Sequence, residues 1–69
     1  MNLEEYRIRC GWSKAQMARE AGIDTNTLNR AMSGIHINIA TADKLTTAIS
    51  KKLGRSIHFS EIEGLNVNL

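Results

Sequence analysis

The stretch GWSKAQMAREAGIDTNTLNRAMSG, residues 11–34, decides how this chain folds. Ser13-x-x-Gln16 is a capping box, in which the Ser13 hydroxyl accepts from the Gln16 amide and the Gln16 side chain reaches back to Ser13. Met17, Ala18 and Ala21 follow at helical spacing, and Gly22 suits the left-handed residue that closes a helix. Ile23 is a lone apolar plug. Asp24 is an N-cap for another helix, about Thr25 to Ser33, which keeps Leu28, Ala31 and Met32 on one side and stops at Gly34. Two helices cross sharply only where their contact residues are small and the turn between them is free. Ala18 meets the first condition and Gly22 the second.

Working outward, Leu3, Tyr6 and Cys10 form a helical stripe that Gly11 ends. Downstream, Thr41 is the expected cap of a helix running to about Leu53, with Ala42, Leu45, Ala48, Ile49 and Leu53 facing inward. Ser60-x-x-Glu63 reads as a second capping box that opens a single short turn. Two five-residue segments instead alternate apolar and polar. Ile35–Ile39 is expected as an extended linker pressing isoleucines onto the core. Leu65–Leu69 is expected either to fray or to pair with a partner chain. The fold class is therefore all-α, a compact orthogonal bundle of four to five helices with a helix-turn-helix in residues 1–64. Residues 65–69 form a tail and a candidate dimer contact.

Bulk properties narrow the function. Sixty-nine residues form one domain, and a chain of this length buries only roughly 60% of its unfolded surface, so its stability margin is thin. Its apolar runs are far shorter than the roughly 20 residues that span a bilayer, so no membrane partner is expected. The start, MNLEEYRIRC, carries two acids and no apolar signal region, which predicts a cytoplasmic address. The lone Cys10 rules out an internal disulfide. Cys10, His36 and His58 lack metal-ligand spacing, and no nucleophilic triad or phosphate-cradling loop is visible. No enzyme activity, metal or cofactor is expected. The net charge of +2 is compatible with a phosphate-facing surface without requiring one.

Residues 11–34 resemble the lambda-repressor-like, or Cro/repressor-type, helix-turn-helix family. That family's ordered places are taken here by Gly11, Trp12, Ser13, Met17, Ala18, Gly22, Ile23 and Gly34, and TADKLTTAISKKLG, residues 41–54, is similar to its fourth helix. The resemblance covers about residues 3 to 54. It implies a regulator that binds double-stranded DNA, commonly as a homodimer whose recognition helices meet successive major grooves. It also implies that Ser13 and Lys14 touch phosphate or a groove edge and that Thr25, Asn26 and Arg30 reach base edges. Thr27 and Asn29 flank them and hold phosphate or sugar. Thr25 and Asn26 are equally suited to a helix start, a role that does not compete with base reading.

The chain departs from the family in two places. Basic residues often follow the glycine that closes the recognition helix, but Ile35, His36, Ile37 and Asn38 stand there, which predicts weaker phosphate anchoring. An arginine of the first helix often pairs with a glutamate two residues before that glycine. Arg7 has the first place and Met32 the second, so Arg7 must find another partner or face solvent. Lys44, Lys51, Lys52 and Arg55 read as solvated, helix-end charge. An alternative function for the same fold is a protein-interaction module, such as an antitoxin or anti-repressor, to which the apolar Ile35–Ile39 segment is suited.

Overall fold

The computed structural model describes all of residues 1–69. Four helices run as α1 (Leu3–Cys10), α2 (Lys14–Ala21), α3 (Thr25–Met32) and α4 (Ile39–Leu53). A single 3-10 turn, Phe59–Glu61, follows, and two two-residue strands, β1 (Ile37–Asn38) and β2 (Val67–Asn68), pair in parallel. The expected all-helical bundle is thus present with four α-helices, while its fifth member is only this turn and a small strand pair is added. The strand pair joins the two alternating segments: Ile37 faces Val67 and Asn38 faces Asn68.

Local chemistry accounts for most helix ends. Asn2 opens α1 with a reciprocal box, its carboxamide accepting from the Glu5 amide at 2.8 Å while Glu5 Oε1 accepts from the Asn2 amide at 2.9 Å. The Ser13 hydroxyl accepts from the Gln16 amide at 3.1 Å, as expected. The return half of that box is absent, because the Gln16 side chain turns along the helix to Glu20 and Arg19. Asp24 caps α3 through the Thr27 amide at 2.6 Å. Gly22 takes φ +73° at the end of α2 and lets the Ile23 amide return to the Ala18 carbonyl at 2.9 Å.

Two caps lie elsewhere than expected. Asn38, not Thr41, caps α4, its side chain accepting from the Thr41 amide at 2.8 Å, so the helix starts at Ile39. His58, not Ser60, caps the 3-10 turn. Its ring nitrogen accepts from the Ser60 amide at 3.2 Å, and Glu61 returns a bond from the His58 amide at 2.8 Å.

One core unites these pieces. Leu3, Tyr6 and Cys10 from α1 meet Met17, Ala18 and Ala21 from α2, Leu28 and Ala31 from α3, and Ala42, Leu45 and Ile49 from α4. Trp12, Ile37, Ile57 and Ile62 complete it from the connections. Ala48, Leu53 and Met32, expected to face inward, are half-buried at its margin. Thr46 is buried instead, its hydroxyl donating back to the Asp43 carbonyl at 3.1 Å.

Candidate nucleic-acid interface

The outer side of α3 is set by its inner one. Leu28 and Ala31, at 0% and 2% exposure, anchor the helix against the core. An eight-residue helix so anchored turns Thr25, Asn26, Asn29 and Arg30 to solvent, and all four are exposed. Their side chains make no hydrogen bond or ion pair within the protein, so their donors and acceptors stay open for a ligand. Thr27 is half-buried, on the shoulder between the two sides. Asp24, at the start of the helix, is held below the ordinary carboxylate value by its bonds to Thr27, with the charge of Arg30 a smaller influence.

The other two expected residues sit at the start of α2. Ser13 and Lys14 are exposed, with the Ser13 hydroxyl engaged as the helix cap. Beside them a shallow depression of about 630 Å³ is bordered by Ser13, Gln16, Trp12, Lys51 and Lys52, among others. The α4 terminus therefore brings two ammonium groups next to the start of α2. Read from the sequence as solvated helix-end charge with Lys44 and Arg55, Lys51 and Lys52 meet Ser13 only in space, because their distance along the chain hides the neighbourhood.

A second depression, about 220 Å³, lies between α3 and the start of α4, where Thr27, Arg30, His36, Asn38 and Thr41 border it with Ile37. All of these except Ile37 carry polar side chains. The segment that lacks the family's basic residues thus still sets an imidazole and an amide beside Arg30, and Thr41 of α4 adds a hydroxyl. Asn38 and Thr41 owe their places to the α4 cap.

Other candidates for chemistry are dispersed. Cys10 is buried at the end of α1, where burial pushes its thiol pKa up, a state unsuited to a reactive thiolate. His36 is exposed in the linker and His58 serves as a cap. No three His, Cys, Asp or Glu side chains gather closely enough to hold a metal ion. No helix is long and apolar enough to cross a membrane.

Arg7 has found its alternative partners. Its Nε and Nη2 fork onto Glu4 one turn earlier, at 2.8 and 2.5 Å, while Nη1 donates to the Trp12 carbonyl. Met32 packs at the core margin where the family's glutamate is replaced.

Comparison with curated proteins finds no match, and neither does comparison with solved structures. A helix-turn-helix family model matches residues 3–59, running five residues past the resemblance legible in the sequence. The turn at Gly22, the open outer side of α3 and that match agree, and the chain belongs to the Cro/repressor-type, lambda-repressor-like helix-turn-helix family of DNA-binding transcription regulators.

Proposed function

We propose that this protein binds specific sites in double-stranded DNA and represses transcription by covering a promoter, in the manner of a phage, plasmid or bacterial repressor. The observation that carries the reading is the division of α3: Leu28 and Ala31 buried, Thr25, Asn26, Asn29 and Arg30 exposed and without partners in the protein. Arg suits the guanine edge and Asn the adenine edge, each good bidentate pair contributing roughly 1–3 kcal/mol of discrimination. Thr25, Asn26 and Arg30 read bases; Thr27 and Asn29 hold the backbone. Ser13 and Lys14, with Lys51 and Lys52 nearby, seat a phosphate at the start of α2.

The protein acts as a homodimer, at least on DNA, since two recognition helices then engage successive grooves about 34 Å apart. The exposed Ile39 and Leu69 are apolar positions available for such contact. Selection of bound sites from random duplex DNA, followed by Arg30→Ala, tests the assignment. The substitution is expected to weaken binding to the selected site and relax its base preference. Unchanged affinity and preference would show that α3 does not read DNA.

A second reading, a protein-interaction module, draws on the exposure of Ile35 and Ile39, at 47% and 52%. Salt separates the two. Binding through several phosphates weakens steeply as salt rises, whereas docking of an apolar segment does not.

A further inference from the structure

We propose that Asn66 is a positioning residue for the DNA-contacting surface, acting from the end of the chain upon the turn that closes α3. The proposal rests on the reading of α3 as the recognition helix. Asn66 grips this turn at both ends: its carbonyl accepts from the Ile37 amide at 2.9 Å, and its side-chain amide donates to the Gly34 carbonyl. Between those points lies the segment that carries His36 into the depression beside Arg30. The grip continues into the helix itself. Gly34, at φ +81°, returns its amide to the Ala31 carbonyl at 3.2 Å, and the Ile35 amide donates to the Arg30 carbonyl at 3.0 Å.

Asn66 is itself fixed from behind. Leu65 and Val67 on either side pack against the core, and the β1–β2 pairing sets the register. Farther back, the Glu63 amide donates to the Met1 carbonyl at 3.0 Å. The family match ends at residue 59, so this clamp comes from the part of the chain beyond it. Asn66 is exposed and fills no space in the core, so its side chain serves the turn and not the packing. Holding His36 and Asn38 beside Arg30 before DNA arrives removes an ordering penalty from binding.

The test compares wild type with Asn66→Ala, using the tightest duplex that wild type selects from random-sequence DNA. Affinity is read over a series of salt concentrations, and helix content and melting temperature are read in parallel. Asn66→Ala is expected to bind roughly three- to tenfold more weakly, the factor set by loss of one neutral hydrogen bond. Its salt slope is expected to stay at the wild-type value, because the clamp places no lysine or arginine on a phosphate, with base preference intact. In the free protein, amide resonances of Gly34 to Asn38 are expected to shift while those of α2 stay in place. Wild-type affinity in the variant would overturn the proposal. So would weaker binding that merely follows lost helix content. If wild type selects no duplex at all, the DNA-binding reading fails first, an outcome distinct from either of these.

Discussion

The Arg7 guanidinium donates to the carbonyl of Trp12 at 2.7 Å, tying the last turn of α1 to the residue that leads into α2. The same guanidinium holds Glu4 below the ordinary carboxylate value, hydrogen bonding being the larger cause. Arg7→Ala removes both links and leaves the Trp12 carbonyl without this donor, whereas Glu4→Gln removes only the ionic partner. Thermal unfolding is expected to rank wild type above Glu4→Gln and Glu4→Gln above Arg7→Ala. The reverse order would show that the Trp12 bond contributes nothing.

Acid should destabilise the fold through three carboxylates. Glu4, Asp24 and Glu61 are depressed in the folded protein, chiefly by bonds to Arg7, Thr27 and the His58 amide respectively. A depressed carboxylate binds its proton more weakly folded than unfolded. Its stabilisation is therefore complete above the unfolded value and is lost as pH falls through the folded one. The melting temperature is expected to hold down to about pH 4.5, the ordinary value for Glu4 and Glu61, and to decline below it. Asp24 joins below its ordinary value of 3.8. Asp24→Asn keeps a cap acceptor without the titration, and should flatten the lowest part of the profile.

The two sides of α3 are expected to fail differently. Leu28→Ala removes a fully buried side chain and should cost about 2–5 kcal/mol, enough to unfold much of so small a domain. Arg30→Ala should move the melting temperature by no more than roughly 2–4 °C, because a surface change away from packing is worth roughly 0.5 kcal/mol or less. Calorimetry on both variants checks the contrast, and equal losses would contradict the division of the helix.

Capping gives a sharper test at the start of α4. Asn38→Ala removes the acceptor of the Thr41 amide and is expected to cost about 1 kcal/mol. Thr41→Ala keeps that amide and its partner, so its effect should be well under half as large. Chemical denaturation of the pair decides which residue is the cap.

Gly22→Ala is expected to destabilise by roughly 1–2 kcal/mol, although a methyl group there meets nothing within 4 Å. The penalty is conformational, since φ is +73°. A replacement that leaves denaturation unchanged would mean that the turn relaxes to another geometry.

What could be read from the sequence was what neighbouring residues decide among themselves. Ser13, Asp24 and Gly22 mark helix ends through bonds spanning three to five positions, and the outer residues of α3 follow from the period set by Leu28 and Ala31. Thr41 reads as the cap because Asn38 lies inside an alternating run whose strand rhythm conceals a helix start. Ser60 reads as the cap of the short turn because a hydroxyl is a commoner cap than an imidazole, which seldom accepts in that role. The β1–β2 pair was invisible as a pair, since each strand has two residues and no local signal names a partner so far along the chain. Likewise Lys51 and Lys52 meet the start of α2 only in three dimensions. Which of the outer α3 residues touch bases depends on a duplex that the chain does not encode.

The parallel ladder joins positions thirty residues apart through very few bonds. Distant closures of this kind form after the local helical turns during folding. In the finished molecule they open more readily than the middle of a long helix, since few backbone bonds hold them. The terminal ladder thus holds its turn in place yet exchanges sooner than the long helix, and solvent deuterium should reach the Ile37 amide before any amide in the middle of α4.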